Sequence, residues 1–412
     1  MKAIVRFINL LLLLGMMLHA GVASAQSQII SKVVNSKTGE ALPFVSIYID
    51  GDKNTISNVE GEFVIDADPG DVLRISCVGY KTVRISAKEV GEKVSLVADE
   101  HTLDEVVVHG SEYYVKLVMK QLKKEMKKWK WERYTFFYRQ VSFTDQKCTS
   151  FLESFFTGLS AYQMRDLILA KGRFWAVARS TTAMPLNFFT FAQVPIENSE
   201  FKAFEDQLVP LIRNYKDYYQ VECRGMNDGE RDMVVLHFVP RKMNLWSIEC
   251  QIYVDANTYQ LLRYEGMGHN NIVKHTIRGV DDFEFIDHSF VVNYKNEHGF
   301  AEVESVHFTS SFESNGQKYQ TTGTVYNVAE RFGRLKGKLG FSDNLIKEIA
   351  AKGYDKEFWR KNEIVKRTPI EENIVDLIES DNLFGVFEEG DEPGMPMEVV
   401  GGYDNEVPAN DK

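Results

Sequence analysis

The stretch NVEGEFVIDADPGDVLRIS, residues 58–76, decides the fold of the first part of the chain. Apolar and polar residues alternate over Glu62–Ile65 and Val72–Ile75, which is the period of a half-buried β-strand. Pro69 and Gly70 separate the two runs. This pair suits the centre of a type II turn, in which the glycine adopts positive φ. The stretch therefore predicts two strands joined by a tight turn.

The same pattern continues on both sides of this stretch, from Gln28 to about Ala98. Further apolar runs with alternation cover Phe44–Ile49 and Lys93–Val97. The turn residues that bound these runs include Gly39, Gly51 and Gly79. Short alternating runs separated by turns predict a Greek-key β-sandwich of about seven strands.

Four blocks of this predicted sandwich carry a resemblance to a known family. The blocks are Gly39–Val45, Asn58–Phe63, Pro69–Leu73 and Cys77–Lys81. They resemble the carboxypeptidase regulatory-like domain, a transthyretin-like β-sandwich at the N-terminus of many Bacteroidetes envelope proteins, including TonB-dependent nutrient transporters. Leu103–Val108 is similar to the stretch that closes this domain. The resemblance implies an interaction or folding module over residues 26–109. It implies no peptidase activity, because the catalytic zinc domain of metallocarboxypeptidases has a different fold.

Residues 1–25 have the features of a secretory signal peptide. Lys2 and Arg6 precede an apolar run, and Ala23-Ser24-Ala25 fits the small-x-small cleavage rule. A lipoprotein leader would need a cysteine at the cleavage point, and the first cysteine is Cys77. We therefore expect an exported protein, periplasmic or associated with the outer membrane, with no transmembrane segment in its mature chain.

Length, charge and cysteine content narrow the class of protein. A chain of 412 residues is long for one core, so we expect two domains. The net charge of -11 argues against a nucleic-acid partner. Four cysteines are too few for a disulfide scaffold. Cys223 and Cys250 lie in predicted strands whose pairing could join them in a disulfide; free buried thiols are the alternative.

The second domain, residues 110–387, begins with a predicted helix over Ser111–Trp131. Ser111 can cap it, and an apolar stripe recurs at intervals of three or four residues. The stripe consists of Tyr114, Val118, Leu122, Met126 and Trp129. Lysines crowd the opposite face, which is either a basic patch for an acidic partner or anionic lipid headgroups, or a solvated helix face packed onto a sheet.

The strand after this helix, Tyr134–Gln140, resembles the Phe-Tyr-Arg-Glu strand of large Bacteroidetes proteins that carry the same N-terminal domain. Gln140 stands where that motif has an acidic residue, so a role for charge at this position is in doubt. We interpret Arg139 as structural, paired with a buried carboxylate; contact with a ligand is the alternative.

Consecutive alternating runs then predict a large antiparallel sheet. These runs are Gln220–Cys223, Met233–Phe238, Ser247–Asp255, Leu261–Glu265, His275–Phe285, Phe290–Lys295, Glu302–Glu313 and Tyr319–Tyr326. Val234–Pro240 and Ile252–Leu262 look like part of the half-barrel of outer-membrane lipoprotein carriers. That resemblance implies an open, curved sheet with one concave face for an apolar ligand.

The C-terminal part is predicted to contain helices over Leu339–Lys352 and Ile370–Glu379. Residues 388–412 are rich in Gly, Pro, Asp and Glu and predict a disordered acidic tail. The fold class expected for the whole chain is mainly β: a Greek-key sandwich, a helix, a large antiparallel sheet that resembles a half-barrel, and C-terminal helices.

The sequence contains no recognisable catalytic, cofactor or metal motif, so no residue is assigned to any of these roles. One short segment is rich in aromatic side chains: Phe188, Phe189 and Phe191. These residues either contact an apolar ligand or belong to the core. The leading hypothesis is a non-enzymatic binding or assembly protein of the cell envelope that holds a lipid, another apolar ligand or an envelope protein. The alternatives are an envelope hydrolase with an unrecognised site in the second domain, and a structural assembly factor whose sheet edges pair with another protein.

Overall fold

The computed structural model describes residues 27–49, 53–98, 112–128, 130, 133–145, 147–177, 196, 209–212, 214–227, 231–242, 248–269, 283–296, 298–314, 316–328, 331–339, 345–361, 365–388 and 395–396. The predicted signal peptide, and Phe188, Phe189 and Phe191, lie outside the described residues.

The first domain is a sandwich of two small sheets, as expected. Its strands are β1 (Ser27–Asn35), β2 (Ser46–Ile49), β3 (Lys53–Ile56), β4 (Glu62–Ala67), β5 (Val72–Ser76), β6 (Val83–Ser86) and β7 (Lys93–Leu96). One sheet has the order β4-β1-β7 and the other β3-β2-β5-β6. Alternation places Val33, Ile47, Phe63, Leu73 and Leu96 in the core between them, each fully buried.

Two turns of this domain show how the sequence specifies it. Gly61 adopts φ 78°, and a Cβ there would lie 2.5 Å from the Val33 carbonyl oxygen, so only glycine fits. The Asn58 side chain accepts from the backbone N–H groups of Glu60 and Glu62 and holds the same turn. The turn at Pro69-Gly70 also forms, but Gly70 lacks positive φ, so the type II geometry expected there was wrong.

The second domain is built on one open sheet. Its long strands are β8 (Arg133–Thr144), β9 (Lys147–Ser160), β10 (Met164–Val177), β11 (Tyr219–Asn227), β12 (Asp232–Pro240), β13 (Ile248–Asp255), β14 (Leu261–His269), β15 (Phe283–Lys295), β16 (Glu302–Ser314) and β17 (Gln317–Val328). The order is β11-β12-β13-β14-β15-β16-β17-β8-β9-β10, and neighbouring strands are antiparallel. Two-residue strands β18 (Phe387–Glu388) and β19 (Met395–Pro396) pair with β10 and β9.

The sheet differs from the sequence-based expectation in two places. The strands β9 and β10 were missed, because both are buried on both faces and do not alternate cleanly. Most of the predicted run His275–Phe285 lies outside the described residues; its last residues begin β15, which continues through Asp287 and Ser289 into the predicted run Phe290–Lys295.

Helices cover parts of both faces of the large sheet. They are α1 (Glu112–Glu125), α2 (Tyr215–Tyr218), α3 (Leu345–Lys352), α4 (Lys356–Lys361) and α5 (Pro369–Ser380). The predicted stripe of α1 is buried at Val118, Leu122 and Met126. A capping box starts α5: Thr368 accepts from the Glu371 N–H, and the Glu371 carboxylate accepts from the Thr368 N–H.

The disulfide considered between Cys223 and Cys250 does not form, and both thiols are free. Cys223 lies on β11 and Cys250 on β13, so β12 separates them. Two residues that face the same way on next-nearest strands are about 9–10 Å apart, too far for a disulfide.

The two faces of the large sheet carry different layers. The inner face is the one whose side chains, such as Phe136, Val234, Tyr264, Phe290 and Phe308, form one hydrophobic cluster with α1 and α3. The outer face contacts the sandwich and the helices α4 and α5 through two smaller clusters. The inner face of the sheet therefore packs in one large apolar cluster, and the outer face packs against the sandwich, α4 and α5 in two smaller clusters.

Candidate functional site

The inner face of the sheet is a continuous apolar surface. Strands from β12 to β17 and from β8 to β10 contribute buried side chains to the same cluster. Aromatic rings pack directly on each other there: Tyr264 and Phe290 lie 4.8 Å apart between centroids, and Phe312 stacks on Tyr319 at 4.6 Å. Sites for apolar ligands are lined mainly by apolar and aromatic side chains of this kind.

Part of the inner face is covered by the chain itself. Val115, Val118, Met119 and Leu122 of α1 are at most 5% exposed and pack in the inner-face cluster. The other side of α1 is solvated: the lysines there include Lys116, which pairs with Glu112 on the same helix. The lysine face is thus exposed, and Glu112 of the same helix offsets part of its positive charge.

A row of polar side chains crosses the apolar inner face. Ser310 lies opposite His288 on β15 and opposite Thr321 on β17, and Thr321 lies opposite Ser142 on β8. His288 Nδ1 and Ser310 Oγ are 2.7 Å apart, and the Thr321 hydroxyl donates to Ser142 Oγ over 3.0 Å. Ser150 extends the row onto β9. We call these five residues the polar row.

The polar row is buried and its histidine is neutral. His288 is 1% exposed, between the rings of Phe290 and Phe308. Burial lowers the pKa of His288 to about 3. Ser150 is 5% exposed, and its hydroxyl has no hydrogen-bond partner among the described residues. A few buried hydroxyls and one neutral imidazole in an apolar surface can orient the polar end of an otherwise apolar molecule.

Sequence reasoning missed the polar row. It assigned no residue of this row to a site. A usable signal was present for four of the five members, which have an aromatic or apolar residue two positions away on their own strand, as Phe290 is to His288; Ser142 is the exception, because it lies between Gln140 and Thr144. A polar residue in such a position lies on the buried face of the pleat.

The outer face carries a buried ionic cluster. Glu153 on β9 pairs through one carboxylate oxygen with Arg139 Nε at 2.8 Å and through the other with Arg173 Nη2 at 2.6 Å. These guanidinium groups hold the pKa of Glu153 well below its usual range. Arg139 also contacts Glu371 of α5 at 3.1 Å, and Arg173 contacts Glu379 at 3.2 Å. The interpretation of Arg139 as the partner of a buried carboxylate is confirmed, and the cluster ties α5 to the sheet.

The sandwich packs on another part of the outer face. Phe44 adopts φ 58°, and its ring stacks on His307 of β16 at 4.2 Å. The Tyr48 hydroxyl of β2 donates to Oε1 of Glu304, which also lies on β16. A cavity of about 240 Å³ lies beside these contacts, lined by residues of both domains.

The described residues were also searched for metal sites and for membrane-spanning helices. There, no group of three His, Cys, Asp or Glu side chains is placed to hold a metal ion. In the same ranges, no α-helix combines the length and the apolar character that crossing a membrane requires.

Comparison with known proteins identifies the first domain. The family model of the CarboxypepD_reg-like domain matches residues 30–108. The N-terminal sandwich is a CarboxypepD_reg-like domain. A TonB-dependent receptor, P26 from Formosa agariphila, is 39% identical over 90 residues, which are 21% of this chain and 9% of that receptor. The chain thus spans about a tenth of the curated relative, and the likeness concerns the CarboxypepD_reg-like domain rather than the receptor as a whole.

Solved structures resemble the second half of the fold only distantly. A LolA superfamily protein from Nitrosomonas europaea is 8% identical, with 52% of this chain and 94% of that chain covered and a TM-score of 0.18. A putative outer membrane lipoprotein-sorting protein domain from Vibrio parahaemolyticus is 14% identical, with 57% and 97% covered and a TM-score of 0.21. At such scores these likenesses carry no argument about function.

Proposed function

We propose that this chain is a non-enzymatic binding protein of the cell envelope that holds an apolar ligand, such as the acyl chains of a lipid, on the inner face of its large sheet. The observation that carries the proposal is the polar row on a mostly apolar inner face. The apolar surface would receive the chains of the ligand, and the polar row would bind its head or ester group. The envelope setting is supported by the predicted signal peptide and by the CarboxypepD_reg-like domain.

In this proposal α1 acts as the cover of the inner face. Its buried residues occupy the surface that the ligand would contact, and its lysine face stays in water. A ligand that binds there displaces or shifts α1, so occupancy depends on how tightly α1 packs.

Native mass spectrometry of the mature protein, purified from a native-like envelope host and followed by lipid extraction, tests the proposal. We expect a stoichiometric apolar adduct. Thr321→Val removes one hydroxyl of the polar row at nearly constant volume and should reduce the adduct. Thr322→Val is the matched control, because Thr322 is the next residue of β17 and points to the outer face.

Changing Phe188 and Phe191 together to Asp tests the aromatic segment predicted from the sequence, and should abolish the adduct without unfolding the protein. A clean apo mass, under conditions that preserve a control lipid complex, would contradict the proposal and favour a protein partner.

An envelope hydrolase is the second candidate, and one observation favours it. His288 and Ser310 are 2.7 Å apart, the distance between a base and a serine nucleophile. A histidine with a pKa of about 3 is a poor general base near neutral pH, so we rank this candidate below the binding protein. Labelling of the wild type by a serine-directed fluorophosphonate, lost in Ser310→Ala, would reverse the ranking.

A further inference from the structure

The cavity between the two domains has a wall from each of them. Ser46 and Tyr48 of β2 and Arg74 and Ser76 of β5 line it from the sandwich. These four residues point away from the sandwich core, because the core positions of the same strands alternate with them. The large sheet contributes the outer-face residues Leu262, Asn293, Lys295 and Glu304, with Arg231 and Asn296 at the ends of β12 and β15.

The charge of this lining is mainly positive. Three of the lining residues are cationic, Arg74, Arg231 and Lys295, and one is a carboxylate, Glu304. Glu304 accepts a hydrogen bond from Tyr48. Arg84 of β6 lies directly opposite Arg74, so a further cation adjoins the cavity.

Neutral hydrogen-bonding groups also line the cavity, beside the apolar or aromatic side chains of Phe44, Val78 and Tyr294. Ser46 and Ser76 provide hydroxyls, and Asn293 and Asn296 provide side-chain amides. Arginines from both domains, together with serine hydroxyls, are the kinds of donor that an oxyanion uses, because it accepts several hydrogen bonds and pairs bidentately with guanidinium.

We propose that this cavity is a binding site for a small oxyanion, a phosphate or sulfate group, held between Arg74 of the sandwich and Arg231 and Lys295 of the second domain. The volume of about 240 Å³ lies just below the range of ordinary ligand pockets, ~300–1,000 Å³, and suits such a group better than a large molecule. Because the anion contacts both domains, it stabilises their association. The site lies on the outer face and is independent of the proposed inner-face function.

Isothermal titration calorimetry of the mature full-length chain with sodium phosphate and with sodium sulfate, at constant ionic strength, tests the site. We expect saturable binding to the wild type. Arg74→Gln and Arg231→Gln should each weaken it by about tenfold or more. Arg334→Gln removes the same charge from an exposed residue outside the cavity and should leave binding within about twofold of the wild type.

Circular dichroism and thermal melting establish that each variant is folded. If a Gln variant does not fold, Lys295→Gln and Arg74→Lys supply the test, since both keep most of the lining intact. Cosedimentation with phosphatidylcholine vesicles that contain phosphatidylglycerol, compared with pure phosphatidylcholine vesicles, distinguishes a lipid head group from a free oxyanion.

Capture by the phosphatidylglycerol vesicles that free phosphate reverses would identify a head group as the natural source. Binding of free phosphate or sulfate alone would identify a soluble anion. The proposal is overturned if phosphate, sulfate and phosphatidylglycerol all fail to bind the wild type saturably, or if Arg334→Gln weakens binding as much as the cavity variants. A missing lipid adduct with intact phosphate binding would refute only the inner-face function.

Discussion

At the scale of single residues, Glu153 shows how buried charge holds this fold together. Its carboxylate is 1% exposed and lies between Arg139 and Arg173, which are 5% and 2% exposed. Removing one partner from such a cluster leaves the others charged, buried and incompletely paired. The cluster is therefore more sensitive to the loss of Glu153 than to the loss of any exposed carboxylate.

We predict that Glu153→Gln lowers the free energy of unfolding by about 3–5 kcal/mol. Urea denaturation of both proteins at neutral pH measures the difference. The control is Glu357→Gln on α4, where the carboxylate is exposed and pairs with Lys361; its effect should be within about 1 kcal/mol. Equal losses in the two variants would show that the buried cluster contributes no more than a surface pair.

His288 makes stability depend on pH. In the unfolded chain its imidazole takes up a proton near pH 6.5, whereas the folded protein keeps it neutral down to about pH 3. Between these values the unfolded state binds more protons, so the free energy of unfolding falls as the pH is lowered. The stabilising contribution is complete above about pH 6.5 and is lost progressively toward about pH 3.

We predict that His288→Gln reduces the slope of stability against pH between about pH 4 and 6, by up to about 1.4 kcal/mol per pH unit. Urea denaturation at several pH values measures the slope. His298→Gln changes an exposed histidine and leaves His288 in place, so it is the matched control. An unchanged slope in His288→Gln would mean that this imidazole does not remain neutral in the folded state.

At the scale of elements, α1 links the stability of the fold to its proposed function. Leu122 is fully buried against the inner face, and Lys124 lies two residues further along the same helix on the solvated side. The packing of α1 thus depends mainly on the apolar stripe, with Lys123 donating to the Leu211 carbonyl oxygen, and not on exposed lysines such as Lys124.

We predict that Leu122→Ala lowers the free energy of unfolding by about 2–5 kcal/mol, whereas Lys124→Ala changes it by less than about 0.5 kcal/mol. Because Leu122→Ala loosens the cover of the inner face, it should also raise the fraction of protein that carries an apolar adduct in native mass spectrometry. A destabilised Leu122→Ala protein with unchanged or lower adduct would argue against α1 as a displaceable cover.

At the scale of the whole molecule, the two domains are coupled through a small number of contacts. Phe44 occupies a backbone conformation that bulky residues rarely adopt, and this conformation directs its ring onto His307. Tyr48 bonds to Glu304 on the same strand of the large sheet. These contacts join the sandwich to the outer face beside the cavity.

We predict that Phe44→Asn combined with Tyr48→Phe uncouples the domains. Asparagine tolerates positive φ, so the change removes the ring without adding backbone strain. Differential scanning calorimetry should show one transition for the wild type and two for the variant. Tyr113→Ala removes an exposed ring elsewhere and should keep the single transition. A single transition in the double variant would place the coupling in other contacts.

Much of the architecture could be predicted from the sequence because its signals are local. Alternation identified β2, β4, β5 and β7 of the sandwich and β11 to β14 of the large sheet, and the interval of three or four identified α1. The strands β9 and β10 gave no such signal, since burial on both faces removes the alternation. The aromatic segment at Phe188 stays a prediction, because it lies outside the described residues.

The sequence by itself therefore determined the first domain, with its turns at Gly61 and Asn58, and the mainly β character of the second, because strand period and turn chemistry act over a few residues. The tertiary structure alone decided which distant groups meet: Arg139 with Glu371, His288 with Ser310 and Thr321, and Arg74 with Arg231. These contacts depend on strand register and on how the domains pack. Both are set by pairing and burial across the whole chain, which no local pattern encodes.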